Sequence, residues 1–160
     1  MANKLFIVCP FSCLENFIRT HYGNDVFFLT YAGTVLGTHD FIYNSIVKHL
    51  IHQEKIKTIY LVNDTSCQFI NSVITRKQLI GLTCEKVIEE IYIEHYLSVF
   101  KGLPLQEQQH KLAELNIKAQ VNNILAFKLF KDFMTEYGIT IKGIITTKES
   151  SSIQEIQVLK

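Results

Sequence analysis

Along most of the chain, short continuous apolar runs alternate with segments whose apolar residues recur at helical spacing. Leu5-Phe6-Ile7-Val8 is unbroken, as expected of a strand buried on both faces. Pro10 and Ser12 close it, and Leu14, Phe17 and Ile18 then repeat at helical spacing up to Gly23. Val26-Phe27-Phe28-Leu29 is a second buried run, ended by Ala32-Gly33. Thr38 is placed to cap a helix whose apolar face is Phe41, Ile42, Ser45, Ile46 and Leu50. Thr58 to Val62 is a third run, rich in β-branched residues, and Asn63-Asp64-Thr65-Ser66 stops it.

The second half is more helical. Glu85 to Phe100 predicts a helix, broken by Lys101-Gly102-Leu103-Pro104. Leu105 to Tyr137 continues in helical pattern, with Leu112, Leu115, Val121, Ile124, Leu125, Leu129 and Phe133 on one stripe and Gly138 as its stop. That length predicts a bend near Leu115 to Ile117. Ile139 to Thr146 predicts a fourth strand and Ile153 to Val158 a fifth, on the edge. Strand–helix alternation needs crossover connections, so the expected fold is α/β, a mainly parallel sheet flanked by helices. No repeat or linker divides the chain, and residues 1–160 are expected to form one domain.

Composition narrows the partners. With 48% apolar and 19% charged residues, the chain is globular rather than disordered. Its apolar excess is large enough to suggest an interface between copies. A net charge of +1, with no Lys/Arg stripe, gives no reason to expect nucleic acid. Charged and amide residues interrupt every long apolar stretch, and Leu5 to Cys9 is too short for a leader core, so no membrane contact is expected. Without a leader, the four cysteines (Cys9, Cys13, Cys67, Cys84) are expected as reduced thiols in the cytoplasm.

Candidate chemistry gathers where strands end. In an open parallel sheet, ligands bind beyond the carboxyl ends of the strands, near the point where strand order reverses. Those ends deliver Cys9-Pro10-Phe11-Ser12-Cys13, Thr30-Tyr31-Ala32-Gly33 and Asn63-Asp64-Thr65-Ser66-Cys67. If the first and third strands are neighbours, Cys9, Asp64 and Cys67 converge, and two thiolates with a carboxylate can hold Zn²⁺ with one position open. The same residues also read as two core cysteines and a capping Asp.

Other pieces fall in a recognisable order: Tyr31-Ala32-Gly33, then Asp64-Thr65-Ser66-Cys67, then Asn116-Ile117-Lys118-Ala119-Gln120-Val121-Asn122-Asn123-Ile124-Leu125, then Ile141-Lys142-Gly143-Ile144. Together with the segment at Cys9 they resemble the β-class carbonic anhydrases along nearly the whole chain. In that family the first strand ends in Cys-x-Asp-x-Arg, the second in Asn-Ala-Gly and the third in His-x-x-Cys. A later helix there carries Asn-Val-x-x-Gln-Val-x-Asn-Leu, and the last strand a Lys/His-Gly pair. The resemblance implies a zinc-dependent lyase acting on CO₂ or bicarbonate, assembled as a homodimer or larger homo-oligomer. Its metal ligands would fall on Cys9, Asp64 and Cys67. The family's orienting Asp and its Arg partner fall on Phe11 and Cys13, so this chain departs from the family at Phe11, Cys13 and Asp64.

Those departures work against CO₂ hydration. In the family, zinc makes a hydroxide by lowering the pKa of bound water to about 7. An ionised Asp64 in place of a neutral imidazole makes the centre more negative, which raises that pKa. Phe11 accepts no hydrogen bond, so the hydroxide loses its orienting contact. Three states of the centre stay open: an open Cys/Asp/Cys site, a closed thiolate-rich site including Cys13, and no metal. The function implied is a divergent carbonic anhydrase-like protein with hydration weak or lost. The alternative is an active metal-dependent lyase or hydrolase on a small CO₂-like molecule, such as carbonyl sulfide. Remaining residues read as structural. Cys84 is expected as a buried apolar residue at a helix start. His21, His49, His52, His95 and His110 are expected on solvated faces, and His39 is the His that could approach the centre. Asn116 and Gln120, at i and i+4, are expected to hydrogen-bond within the fold.

Overall fold

The computed structural model describes residues 3–37, 41–77 and 79–158, the side chains of 41–44 excepted. The expected cap at Thr38, the candidate His39 and the side chains of Phe41 and Ile42 lie outside the described residues. Strands β1 (Asn3–Val8), β2 (Val26–Thr30), β3 (Ile56–Asp64), β4 (Thr140–Thr147) and β5 (Ser152–Ile156) form one sheet in the order β2-β1-β3-β4-β5. The first four are parallel and β5 runs antiparallel on the edge. The α/β architecture and all five expected strands are thus present.

Alternation along β1 sorts the core into two faces. Leu5 and Ile7 pack with Ile59, Leu61, Ile141 and Ile145 against one layer of helices. That layer comprises α2 (Phe41–Gln53), α5 (Leu105–Ala126) and α6 (Lys128–Tyr137). Phe6 and Val8 face the other way, with Tyr60, Val62 and Ile144, onto Leu14 and Ile18 around α1 (Glu15–Tyr22). Phe6 stacks on its register partner Tyr60 at 4.7 Å. Each such fully buried aliphatic or aromatic side chain contributes about 1.5–3 kcal/mol. A third cluster lies beneath α3 (Gln68–Thr75) and α4 (Thr83–Glu94), and it contains Cys9, Cys67 and Cys84.

Four expectations are corrected. The buried stripe of α2 is carried by Val47 and Ile51, one residue on from the expected face, and Ile46 is exposed. The helix from Glu85 ends at Glu94, and Tyr96–Phe100 forms a wider turn in which Lys101 N–H bonds to Tyr96 O at 2.8 Å. The bend expected near Leu115 to Ile117 is absent, because Leu112, Asn116, Ile117 and Gln120 must all be buried along one straight helix. The break falls instead at Phe127, whose φ/ψ of −81°/97° is extended, and the turn leaves Leu129 exposed. Finally, α3 follows Cys67 immediately, a helix the apolar pattern did not delimit.

Candidate functional site

The chain passes from β1 out to β2 and then back across to β3 on the other side of β1, so strand order reverses between β1 and β3. That reversal opens a crevice at their carboxyl ends. Cys9 and Cys67 meet there, each about 1% exposed. Three tight local structures place them. After Cys9 the chain turns over Pro10–Ser12, with Ser12 N–H bonded to Cys9 O, and leaves through Cys13 at φ +49°. After β2 it turns over Ala32–Thr34 with Gly33 at φ +63°, a conformation that favours glycine. A Cβ on Gly33 would also stand 2.9 Å from Ile88 Cδ1. After β3, Cys67 N–H bonds to Asp64 O and Cys67 becomes the residue before α3.

The two thiols lie beside each other, and each drives the other's proton affinity in the opposite direction. Donation from Cys67 is the main reason the Cys9 thiol is lowered to about 6 against the resistance of burial, with further help from the amides of Gly33 and Phe11. Gly33 N–H donates to Cys9 Sγ at 3.2 Å. Cys67 is pushed the other way, well above the usual thiol range, by the bond to Cys9, by burial and by the neighbouring negative sulfur. The pair is therefore biased toward negative charge on Cys9 and a proton on Cys67. Ser12 Oγ lies close enough to favour the thiolate, yet it is buried without a hydrogen bond of ordinary geometry.

Gly33 is itself held by a buried amide network. Asn116 Nδ2 donates to Gly33 O at 2.9 Å and to Asn63 Oδ1 at 2.8 Å. Gln120 Nε2 donates to Asn116 Oδ1, while Gln120 Oε1 accepts from Leu36 N–H. Thr34 Oγ1 donates to Val62 O. The expected structural role of Asn116 and Gln120 is met, and it serves the turn that feeds Cys9.

Asp64 stands at the same strand end but its carboxylate is engaged elsewhere. Oδ1 accepts from Ser66 N–H at 2.9 Å and from Ser66 Oγ–H. Oδ2 accepts from Thr146 Oγ1 at 2.6 Å and from Lys148 N–H at 3.1 Å. Four donors match the four lone-pair positions of a carboxylate. Among the described residues, no three His, Cys, Asp or Glu side chains come close enough together to hold one ion. The donor set that faces the crevice is two sulfurs, which does not fit a zinc centre needing three protein ligands and an open position.

Phe11 and Cys13, expected at the positions of the orienting pair, are both directed elsewhere. Phe11 is 56% exposed and packs edge-on against buried Phe69 at 5.4 Å. Cys13 is exposed and its Sγ lies 3.8 Å from Pro10 O, within its own turn. Cys84 is buried at the start of α4, and burial foremost pushes its thiol up to about 11. His21, His49 and His52 lie on exposed helix positions; His95 and His110 are half-buried, bonded to Ile91 O and Gln154. All four cysteines are unpaired. Sequence reading missed Ser66, Thr146 and Lys148 as the partners of Asp64. It also missed Lys148 Nζ as a brace on the carbonyls of Ser12 and Cys13, at 3.5 and 3.3 Å.

No protein-family model matches the chain, and no curated protein does. Solved structures do. A β-carbonic anhydrase of the fungal pathogen Aspergillus fumigatus superposes with a TM-score of 0.83 at 20% identity, covering 99% of this chain and 77% of that one. One of two tetrameric β-carbonic anhydrases from Sordaria macrospora gives 0.81 at 18% identity, covering 97% and 80%. The Coccomyxa β-carbonic anhydrase, in complex with acetazolamide, gives 0.77 at 19%, covering 97% and 72%. With its sheet order, its strand-end crevice and these neighbours, the chain has the fold of the β-carbonic anhydrases.

Proposed function

We propose that this protein is a carbonic anhydrase-like protein that has given up CO₂ hydration and keeps its crevice as a binding site built on the Cys9–Cys67 thiol pair. One observation carries the reading: the carboxylate that would complete a metal centre, Asp64, already accepts from Ser66, Thr146 and Lys148. Phe11 adds to it, since a phenyl ring neither orients a hydroxide nor holds bicarbonate through a hydrogen bond. The family's cofactor, Zn²⁺, would find only Cys9 and Cys67 here, short of the three protein ligands that its catalytic centres use. The chain's own groups then stabilise negative sulfur, through Gly33 N–H and the first amides of α3, without positioning a water.

The apolar surface fits assembly with further copies. Leu97, Ile80 and Ile93 are among the large side chains left exposed, and the related Sordaria enzymes are tetrameric. No described helix is long and apolar enough to cross a membrane.

Stopped-flow hydration of CO₂, read by a pH indicator on zinc-treated protein, tests the proposal. The expected rate equals that of buffer containing free zinc. A zinc-dependent rate above that background, lost in Cys9→Ser, would establish the competing reading of an active lyase.

A further inference from the structure

The crevice presents a donor set that is unusual for the ion its fold suggests. We propose that Cys9 and Cys67, adjacent in an apolar chamber while Asp64 is tied back to β4, form a two-sulfur site that takes a soft monovalent d¹⁰ cation, Cu(I), in preference to Zn²⁺. The proposal rests on the reading of the crevice as a non-hydrating thiol site and names its ligand class.

Three observations carry it. The first is the count of donors: Cys9 and Cys67 lie in one buried cluster, each about 1% exposed, and the Asp64 carboxylate is already taken up by four donors. Zinc fills a tetrahedral shell and would need water for half of it, whereas Cu(I) is selected by soft thiolates and is content with few. The second is the wall of the chamber. Phe69, Ile70, Val73 and Ile88 are buried in the same cluster as the sulfurs, and Phe11 closes on Phe69, so the surroundings are mostly apolar, with the Ser12 hydroxyl beside Cys9. The third is charge. A bis-thiolate copper(I) unit bears one negative charge, and Gly33 N–H at 3.2 Å from Cys9 with the start of α3 at Cys67 provides donors for it. Binding balances without redox: the two cysteine sulfurs take up Cu⁺ as thiolates, and each thiol proton displaced leaves to solvent.

The experiment titrates reduced, anaerobic wild-type protein with Cu(I) in competition with bicinchoninate, and in parallel with Zn²⁺ in competition with nitrilotriacetate. One Cu(I) per chain is expected to be retained while zinc passes to the chelator. Cys9→Ser and Cys67→Ser are expected to weaken copper binding by at least about 100-fold, the upper end of what changes around a metal's ligands cost. Asp64→Asn should change it by no more than about twofold, since even loss of a group that hydrogen-bonds to a metal ligand costs about tenfold or more. The double variant Cys13→Ser/Cys84→Ser should bind as wild type. Should a Cys variant fail to fold, X-ray absorption at the copper edge of the wild-type complex replaces it, and two sulfur neighbours are expected. Surrender of copper to bicinchoninate, tighter retention of zinc, a tenfold loss in Asp64→Asn, or a third or non-sulfur neighbour at copper overturns the proposal. Hydration measured on the same samples separates the two ideas: a zinc-dependent rate defeats the functional reading, while copper loss without hydration defeats only this one.

Discussion

The Cys9–Cys67 pair makes its own pH signature. A thiol whose folded pKa is lowered adds stability that is fully present above its ordinary value of 9.0 and is lost as pH falls through about 6. Cys67, raised, contributes in the opposite sense: its share is present at low pH and lost above the ordinary thiol value. The pair's contribution therefore rises from about pH 6 to a maximum near pH 9 and declines above it. Thiolate absorbance is expected to show one ionisation near pH 6 in the wild type. In Cys67→Ala, which removes the donor, that step should move to higher pH; an unmoved step would mean the two sulfurs do not share a proton. Asn116 acts on the same turn from below. Asn116→Ala strips a partner from Asn63 Oδ1 and Gln120 Nε2 and leaves Gly33 O only the longer bond from Asn63 Nδ2, and each buried group left unsatisfied costs about 1–3 kcal/mol. Thermal melting should register that loss as a lowered Tm. At this scale the sequence was legible where partners are local. Asn116 and Gln120 sit one helical turn apart, so their bond could be read from spacing. The partner of Asp64 could not, because Thr146 lies 82 residues away and only the pairing of β3 with β4 brings the two together.

Between elements, the closest approach is at Gly143 on β4. A Cβ there would stand 2.5 Å from Val158 Cγ1 and 2.8 Å from both Ile117 and Ile156. The glycine thus lets α5 and the chain beyond β5 close on β4, and Gly143→Ala is expected to destabilise by about 1–3 kcal/mol, as overpacking of a filled core does. Urea denaturation checks it, and an unchanged midpoint would show that these side chains give way freely. The break at Phe127 teaches the converse lesson about legibility. Neither glycine nor proline marks it, so the pattern of apolar residues ran on through it. Strands were plain because a run buried on both faces has no other reading at that length, whereas the helical face of α2 was misread by one residue. A stripe read from periodicity alone carries that error whenever both candidate positions are apolar, as Ile46 and Val47 are.

For the molecule as a whole, order mattered more than any single piece. Strand-end segments in the right sequence implied the fold, and the superposition on known β-carbonic anhydrases bears that out over 97–99% of the chain. What the order of motifs did not convey is where the side chains of Phe11, Cys13 and Asp64 lie. Phe11 packs on Phe69, Cys13 stays within its turn, and Asp64 has partners on the neighbouring strand. The exposed apolar side chains lead to one prediction at this scale: light scattering should give a dimer or larger species at micromolar concentration, and a monomer would leave those side chains without a use.

The bonding of Asp64 to Ser66, Thr146 and Lys148 also sets a limit on redesign. A histidine introduced at this position would have to abandon at least two of those donors at once, leaving them stranded. The single substitution would therefore lose stability before it gained a ligand, and a tolerated exchange demands concerted substitutions on two strands.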